Sequence, residues 1–578
     1  MKPPNEIYQT AAPRALVEVH LPDGRILCGP RNTPIGALFK ALPEWNRRDL
    51  IVGAVVNGEL RELTYPIELD SRVSPVLMSD PDGSGIYRRS VTFLLVAAFE
   101  DLFPGADMAV EHSMSSGGFY CSVINRPPLS REELASVEAR MRELVKADLP
   151  FERKVVPLQE AIDYFQSKHQ DEKVRLLSYR AKDTLGLYTL GNRCDYHHGY
   201  MVPSTGLLRW FALMPAGDGF ALRFPRRQAP NELPPLPDSK KLLATFREYN
   251  SWLARLGIQN VAALNDAIKA NRVSELILIS EALHEHRIAE IASLVMERSR
   301  QARIVLVAGP SSSGKTTFSK RLTVQLLAQG ISPFPLELDN YFLDREQTPK
   351  DEKGQYEFEA LEALDTARLL ADLTRLIAGE EIQLPKFNFH LGRSVPGEVV
   401  KLERGQLVIL EGIHGLNPGL LPGLSREQTT RIYVSCLTQL NLDRHNRIST
   451  TDTRLLRRII RDARDRGYTA QQTINRWESV GRGEKKHIFP YQENADEMFN
   501  SALVYELSAI RQLAEPLLRQ VAFGTPEYIE AKRLLAFLQW FLPIEEDFIP
   551  DNSILREFIG GSILKGFSLW QHGKRNGE

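Results

Sequence analysis

The chain has 578 residues, 43% of them hydrophobic, so it can form about four folding units with buried cores. Its 72 lysines and arginines balance 73 aspartates and glutamates, which excludes an overall electrostatic attraction to nucleic acid or to an anionic membrane. The four cysteines are far apart, so neither a disulfide framework nor a cysteine-rich zinc ribbon is expected. Because the sequence has no secretory signal and no apolar run of membrane-spanning length, we expect a cytoplasmic protein.

The predicted elements divide the chain into five parts. The first alternates apolar and polar residues as a small α+β unit does, and the second opens with a helix predicted from Ser90 to Leu102 after a breaker at 80–85. A proline-rich spacer and helices predicted from Lys240 to about Arg300 come next. The expected boundaries are 1–80, 84–225, 226–300 for the linker and helical connector, 301–510 for an α/β domain with a doubly wound parallel sheet, and 511–578 for a helical extension.

A phosphate-binding loop follows a predicted buried strand, Ile304–Ala308. The sequence GPSSSGKTT fits the pattern G-x-x-x-x-G-K-[ST], in which backbone N–H groups surround phosphate oxygens. We predict ATP and Mg²⁺ as cofactors, with Lys315 on the β- and γ-phosphates and the Thr316 hydroxyl on the metal. The expected nucleotide-binding residues of this loop are Gly309, Ser311, Ser312, Ser313, Gly314, Lys315, Thr316 and Thr317. An ordinary Gly/Ser turn is the alternative interpretation.

Two acids end the next predicted strands. Asp339 ends the segment from Leu336, and Glu411 follows the apolar strand from Leu407 to Leu410. In doubly wound sheets the carboxyl ends of the strands face the ligand, so Asp339 can activate an attacking hydroxyl and Glu411 can act on the metal's water shell. A helix-capping aspartate and a solvated strand end are the corresponding structural alternatives.

An arginine-rich helix is predicted between Arg444 and Gly467. Arg454, Arg457, Arg458 and Arg461 recur at helical spacing, and a mobile helix could close these guanidinium groups over the transferring phosphate. The interspersed aspartates support a salt-bridged surface helix instead. RNA binding is a third interpretation, but no aromatic residues alternate with the arginines as a stacking platform requires.

Several ordered motifs make residues 303–510 resemble the uridine kinase/phosphoribulokinase family of P-loop kinases. The motifs are AGPSSSGKTT, LDNYF, YEFEALEALD, PKFNFHLGR, LEGIHGL and TDTRLLRRIIRDARDRG. The resemblance implies that Asp339 is the general base, that Glu359 contacts ribose hydroxyls, and that Arg454 and Arg458 hold ATP phosphates. We also expect catalytic roles for Lys315, Arg457 and Arg461, which can stabilise charge on the transferring group. The residues expected on the substrate side are Asp339, Tyr341, Glu359, Phe387, His390 and Arg393.

The base-reading element departs from the family pattern. The family has tyrosine-aspartate-phenylalanine followed by a histidine, whereas this chain has Phe387-Asn388-Phe389, with His390 displaced from the family position near Gly392. The acid of the ribose site is lengthened from aspartate to Glu359. Loss of hydrogen-bonding groups from such a pocket changes selectivity strongly, so the uridine/cytidine preference is not carried over.

Residues 1 to about 225 resemble the amino-terminal region of threonyl-tRNA synthetases. A TGS-like unit (VEVHLPDGR, VVNGELREL) precedes a unit like the editing domain, in which Arg89 and Phe93 replace the family's His-x-x-x-His pair. Because neither residue can replace those imidazoles, we do not expect deacylation of tRNA. For Cys194, His197 and His198, zinc binding, ligand sensing and a purely structural role remain open, as does contact of this half with tRNA or the ribosome.

The sequence thus predicts an ATP-dependent kinase that phosphorylates the 5′-hydroxyl of a nucleoside. Two alternatives remain. The acceptor could be another small alcohol, such as a sugar phosphate or polyol, or the protein could be a nucleotide-gated regulator that binds tRNA or the ribosome. The Gly560-Gly561-Ser562 step of the tail is read as a packing turn or an anion-binding nest, and the role of the tail is open.

Overall fold

A computed structural model describes residues 12, 14–46, 49–114, 117–235, 240–350, 354, 356–388, 391–438 and 440–567. The chain forms two compact units. Unit 1 combines residues 1–237 with the short segments 443–447 and 522–533, and unit 2 contains the remainder. The finer division into five parts stays a prediction. Within the described ranges, no helix is long and apolar enough to cross a membrane.

Unit 1 is a mixed α and β structure. Its strands are β1 (Leu16–His20), β2 (Ile26–Pro30), β3 (Thr33–Pro34), β4 (Ile51–Val56), β5 (Glu59–Arg61), β6 (Pro66–Ile67), β7 (Ser71–Leu77), β8 (Asp107–Ser113), β9 (Gly118–Ile124), β10 (Glu152–Pro157), β11 (Thr184–Leu190), β12 (Arg193–Tyr196), β13 (Ala212–Ala216) and β14 (Gly219–Arg223). Its helices are α1 (Ile35–Phe39), α2 (Pro81–Leu102), α3 (Arg131–Lys146), α4 (Leu158–Ser167) and α5 (Asp171–Ser178). The larger sheets have the orders β2-β1-β7-β4-β5, β13-β14-β9-β8 and β10-β11-β12. These small sheets agree with the predicted α+β class.

Helix α2 begins nine residues earlier than the sequence predicted. The stretch read as a breaker forms its first turn, with Pro81 at the first helical position, where a missing N–H costs nothing. The side chain of Asp80 accepts the N–H of Leu77 (2.8 Å), which fixes the chain at the helix entrance. Gly83 is needed there because a Cβ atom would lie 1.9 Å from the Leu77 carbonyl oxygen.

Unit 2 begins with three helices and continues as an α/β domain. Its strands are β15 (Ile304–Ala308), β16 (Pro333–Glu337), β17 (Ile382–Asn388), β18 (Arg393–Val400), β19 (Leu407–Glu411), β20 (Thr429–Ser435) and β21 (Glu497–Asn500). The helices of the carboxy-terminal half of the chain are α6 (Lys240–Leu256), α7 (Val261–Lys269), α8 (Val273–Arg298), α9 (Lys315–Ala328), α10 (Thr366–Ile377), α11 (Thr450–Asp465), α12 (Ala470–His487), α13 (Glu506–Arg519), α14 (Pro526–Leu538) and α15 (Arg556–Ile559). The first part of α14 falls in unit 1.

A five-stranded parallel sheet of order β16-β19-β15-β20-β21 forms the centre of unit 2. All five residues of β15 are buried, because the strand lies in the middle of the sheet with helices covering it. The predicted doubly wound α/β class is confirmed. The strand predicted to end at Asp339 instead ends at Glu337, and Asp339 lies on a 3₁₀ turn from Leu338 to Tyr341.

Candidate active site

The phosphate loop of unit 2 has the strand–loop–helix form that the sequence predicted. The chain leaves β15 at Ala308, and α9 begins at Lys315. Ser312 (φ 57°) and Gly314 (φ 85°) both adopt the left-handed region, which turns successive backbone N–H groups toward the inside of the loop. Ser312 is not glycine, so its conformation is held by the surrounding structure rather than by intrinsic preference.

Two carboxylates accept N–H groups of this loop. Ser311 N–H donates to Glu484 Oε1 (2.9 Å), and Thr317 N–H donates to Glu557 Oε2 (3.0 Å). The hydroxyl oxygens of Ser312 and Ser313 are buried and have no hydrogen-bond partner among the described residues. Buried orphan hydroxyls are costly, so a loop that keeps them beside inward-directed amides is built to receive an anion.

Glu411 lies at the centre of the charged groups around the loop. Its carboxylate accepts the Thr316 hydroxyl (3.2 Å) and lies 3.9 Å from the Lys315 ammonium. Burial raises the pKa of Glu411 to about 7, and the neighbouring Asp339 and Glu557 act in the same direction, whereas Lys315 opposes them. A buried acid beside other acids binds a divalent cation favourably, because the cation relieves the repulsion among the acids.

Asp339 is exposed to solvent and lies near the same charged groups. Desolvation by the surrounding protein atoms raises the pKa of the Asp339 carboxyl, and the charges of Lys315, Arg466 and Arg461 act in the opposite direction. The phosphate-loop lysine and these two arginines are therefore close enough to Asp339 to influence its protonation. An acid with this mixture of desolvation and compensating charge is a candidate proton acceptor.

Arginines of α11 contact the phosphate loop directly. Arg454 Nε donates to the Ser311 carbonyl (2.9 Å), and the same guanidinium forms a buried ion pair with Glu484. Arg458 donates to the Ser311 hydroxyl at 3.0 Å. Both guanidinium groups also lie over the ring of Trp477, at 5.3 and 5.8 Å. These arginines are thus already placed around the loop rather than on an open surface.

Arg457 is completely buried, at 0% exposure. Its guanidinium pairs with Glu506 and donates to the carbonyl oxygen of Ser501 (2.9 Å) and, more weakly, to that of Ser312 (3.4 Å). With its donors engaged in this way, Arg457 supports the back of the loop. Its predicted catalytic role stays a prediction.

Asp462 pairs with three arginines, two within α11 and one just after its end. The Asp462 carboxylate is buried and lies 3.2 Å from Arg458, 3.2 Å from Arg461 and 3.6 Å from Arg466. The aspartates that suggested a solvated surface helix therefore include one that organises guanidinium groups facing Asp339. A single buried carboxylate cannot neutralise three guanidinium groups, so net positive charge remains there.

Glu359 packs against α12 at Gly483. A Cβ atom on Gly483 would lie 2.3 Å from the Glu359 Cβ, so only glycine permits this approach. Desolvation raises the pKa of Glu359, with Arg458 opposing the shift and Glu484 adding to it. The acid predicted to contact the acceptor is therefore an electrostatic neighbour of the groups that contact Ser311.

The other residues predicted on the substrate side are placed differently. Tyr341 is buried and donates its hydroxyl to Asp372 (3.2 Å) in the core, and Phe387 packs edge-on against Phe342 at 5.7 Å. Arg393 has a 65% exposed side chain and lies 3.7 Å from Glu346. His390 lies outside the described residues. The binding roles of Tyr341, Phe387 and Arg393 stay predictions.

The editing-like part of unit 1 shows what replaced the missing histidine pair. Arg89 donates to the Tyr200 carbonyl (2.9 Å), and burial lowers its pKa to about 10, so it stays charged at neutral pH. The Phe93 ring lies 5.1 Å from the His197 ring, and burial lowers the pKa of His197 to about 4. Throughout the described ranges, no group of three or more histidine, cysteine or acidic side chains is arranged to hold a metal ion.

The sequence interpretation missed four residues near the loop: Asp462 as an organiser of arginines, Arg466, Glu484 and Glu557. Arg466 and Asp462 lie in the arginine-rich segment that the sequence had already singled out, at helical spacing from Arg458. Nothing in the local sequence marks Glu484 or Glu557, because their approach to the loop depends on how α12 and the tail fold back.

Comparison with known proteins gives the two halves of the chain different relatives. Residues 304–507 match the model of the phosphoribulokinase/uridine kinase family. The resemblance predicted from the sequence is confirmed, and this kinase-family region contains the loop, the acids and α11 described above.

The amino-terminal part matches threonine–tRNA ligases. The ligase of Paraburkholderia phytofirmans is 34% identical over 200 residues, which cover 34% of this chain and 31% of that protein. The ligase of Methylibium petroleiphilum is 38% identical over 164 residues, covering 28% of this chain and 26% of that protein. The chain therefore spans less than a third of the length of these curated relatives.

Among solved structures, a possible uridine kinase from Bacillus stearothermophilus is 17% identical with a TM-score of 0.25, covering 37% of this chain and 98% of that one. At this TM-score the structure adds nothing to the fold assignment, which depends on the sheet topology and the family match.

The residues of the kinase-family region fit a nucleotide triphosphate with Mg²⁺. The loop offers inward-directed amides, orphan hydroxyls and the Lys315 ammonium for phosphate oxygens. Thr316 and Glu411, already in contact, provide the hard oxygen donors that Mg²⁺ prefers. This region is therefore similar to the phosphoribulokinase/uridine kinase family, and its residues fit such a ligand.

Proposed function

We propose that the protein is an ATP-dependent nucleoside kinase that transfers a phosphoryl group to the nucleoside 5′-hydroxyl. The observation that carries this proposal is the position of Asp339, whose carboxyl is under the electrostatic influence of Lys315 and of two arginines. A protein that only binds nucleotide can hold its metal through Glu411 and has no need for a second acid near its phosphate lysine. A phosphotransferase needs one to orient and deprotonate the acceptor.

The residues around the phosphate loop have different roles in the proposed phosphoryl transfer. ATP supplies the transferable phosphoryl group when bound, and Mg²⁺ reduces its charge. Lys315 and the loop amides hold phosphate oxygens, while Thr316 and Glu411 hold the metal or its water shell. Asp339 accepts the proton of the acceptor hydroxyl. Arg461 and Arg466 lie close enough to lower the pKa of Asp339, and they can stabilise negative charge that develops during transfer.

The preference for a nucleoside depends on Glu359. Its carboxyl is anchored against Gly483 and faces Arg458, on the loop side of α12. A carboxylate in this place can accept hydrogen bonds from two neighbouring hydroxyl groups of a ribose. We infer that Glu359 fixes the sugar so that its 5′-hydroxyl points to Asp339.

A sugar phosphate is the second candidate acceptor. Arg461 and Arg466 share Asp462 as counter-ion, which leaves net positive charge near Asp339. An acceptor that carries its own phosphate could use this charge, since guanidinium groups bind phosphate in a bidentate manner. Both acceptors would undergo the same phosphoryl transfer, so the two candidates differ only in the substrate.

The amino-terminal half gives a candidate of a different class. Its relatives are named threonine–tRNA ligases, so we also infer that unit 1 can contact tRNA or the ribosome. A purely nucleotide-gated regulator would bind ATP and tRNA but transfer no phosphate to any small molecule. Turnover on a metabolite therefore separates the two classes.

The Asp339→Asn variant tests the proposed chemistry. Its ATP dissociation constant should stay within about twofold, whereas kcat should fall by about 10²- to 10⁴-fold because only activation of the acceptor is lost. Asp547→Asn, the same change at an exposed aspartate of the tail, is the matched control and should change neither quantity. Unchanged turnover in Asp339→Asn would contradict the assignment of the base.

A further inference from the structure

The carboxy-terminal segment from Ser553 to Leu564 lies on the phosphate loop of unit 2. Ile554 Cγ2 would lie 2.6 Å from a Cβ atom on Gly314, so the segment touches the backbone of the loop. Three residues further on, the Glu557 carboxylate accepts the N–H of Thr317 (3.0 Å). Glu557 also adds to the raised pKa of Glu411, which places its charge near the proposed metal site. This tail residue therefore reaches both the helix end and the acids of the site.

Several contacts hold the segment in this position. Arg464 of α11 donates to the carbonyl oxygens of Phe558 (2.8 Å) and Glu557 (3.0 Å). Lys320 of α9 donates to the Leu564 carbonyl (2.8 Å). The Phe558 ring is buried and lies 4.8 Å from the Arg457 guanidinium carbon. These bonds go to backbone carbonyls, so they fix the path of the segment and not only one side chain.

The Glu557 carboxylate competes with a phosphate for the same donor. In phosphate loops, backbone N–H groups at the start of the helix bind phosphate oxygens, and Thr317 directly follows the eight-residue motif 309–316. One N–H makes one strong hydrogen bond, and two anions brought to it repel each other at short range. A nucleotide phosphate can therefore take the Thr317 amide only if Glu557 withdraws.

We propose that the segment Ser553–Leu564 is an autoinhibitory plug, with Glu557 as the group that occupies the phosphate position. The inference rests on the proposed function, since it assumes that the loop binds ATP. The apparent ATP affinity is the intrinsic affinity multiplied by the fraction of molecules in which the segment is withdrawn, so the plug lowers it. Anything that withdraws the segment, or the Arg464 contacts that hold it, increases nucleotide binding.

Two variants of the full-length protein test the plug by ATP·Mg²⁺ titration calorimetry. Glu557→Gln removes the competing charge, and Arg464→Ala releases the segment while leaving Glu557 intact. Both should bind ATP about tenfold more tightly than the wild type, the factor that corresponds to a lost charge-assisted hydrogen bond. Glu545→Gln, an exposed acid of the same tail, is the control and should leave the dissociation constant unchanged.

The outcomes separate the plug from simpler explanations. If Glu557 acted only by repelling phosphate from a fixed position, Arg464→Ala would not tighten binding, and the plug would be wrong. Weaker binding or lower Mg²⁺ dependence in Glu557→Gln would make Glu557 a metal-binding residue and would also overturn it. Equal affinities in all four proteins would contradict the plug alone, whereas absence of ATP binding in all four would contradict the proposed function and the plug with it.

Hydrogen exchange of the wild type gives an independent readout. Saturating ATP·Mg²⁺ should increase amide exchange in residues 553–564, because the segment must leave for the nucleotide to bind. Decreased exchange in that range would show that the nucleotide and the seated segment coexist, which would overturn the plug.

Discussion

Arg457 and Glu506 form a buried ion pair beside the phosphate loop, with side-chain exposures of 0% and 2%. The same guanidinium donates to the Ser501 carbonyl (2.9 Å), which joins α11 to the segment after β21. Because both charges are removed from water, each depends on the other for compensation. The pair therefore couples the position of the arginine-rich helix to the integrity of the site.

Breaking this pair should destabilise unit 2 strongly. In Glu506→Gln the Arg457 charge stays buried without its counter-ion, and we expect the free energy of unfolding to fall by about 3–5 kcal/mol. Urea denaturation measures this change. Glu380→Gln removes the same charge from the exposed Arg375–Glu380 pair and should cost less than about 1 kcal/mol. Similar losses in the two variants would mean that the Arg457 site is solvated.

A second prediction concerns two glycines of α12. Gly483→Ala places a Cβ atom where Glu359 now packs, whereas an added Cβ on Gly481 meets no atom within 4 Å. If Glu359 binds the acceptor, Gly483→Ala should raise the acceptor KM on the order of tenfold or more, since small displacements of positioning groups are costly. ATP affinity should change much less, and Gly481→Ala should behave as the wild type does. Steady-state kinetics with each substrate varied in turn measure both quantities, and an unchanged acceptor KM in Gly483→Ala would remove Glu359 from the acceptor site.

The third prediction is a pH dependence of unit 1. Burial lowers the pKa of His197 from its ordinary value of 6.5 to about 4, so the unfolded chain binds this proton more tightly than the folded unit does. The stability of unit 1 should therefore fall as the pH drops from about 6.5 to about 4, with a contribution of up to about 1.4 kcal/mol per pH unit. His197→Phe should flatten this dependence, as measured by urea midpoints at pH 7 and pH 5.

The control for that experiment is His20→Asn. The His20 side chain is 45% exposed on β1, so its removal should leave the pH dependence of unit 1 as it is in the wild type. An equally steep loss of stability in His197→Phe would mean that other groups cause the acid sensitivity.

The parts of the site that the sequence predicted are those determined by local order along the chain. The apolar run 304–308, the glycine-rich turn and the helix after it are consecutive, so strand, loop and helix follow from the sequence itself. The spacing of the arginines likewise predicted α11. The strand before Asp339 ends two residues earlier than predicted, but either geometry places Asp339 beyond the carboxyl edge of the sheet, and its role as the base stays a prediction.

The parts that the sequence did not reveal depend on distant segments meeting. Glu484 and Glu557 reach loop amides that precede them by 173 and 240 residues, and no local pattern encodes such contacts. The start of α2 was misread for a related reason. Gly83 looks like a breaker in sequence, but it is required by the close approach of the Leu77 carbonyl.

The most direct test of the central claim is ATP consumption by the full-length protein with Mg²⁺ across ribonucleosides, deoxyribonucleosides, sugar phosphates and polyols, with products identified by mass spectrometry. Asp339→Asn runs beside the wild type on every acceptor. We predict rapid turnover on a nucleoside, a 5′-monophosphate product, and loss of that product in the variant. ATP binding without phosphorylation of any acceptor would contradict the kinase assignment and favour a nucleotide-gated partner of tRNA or the ribosome.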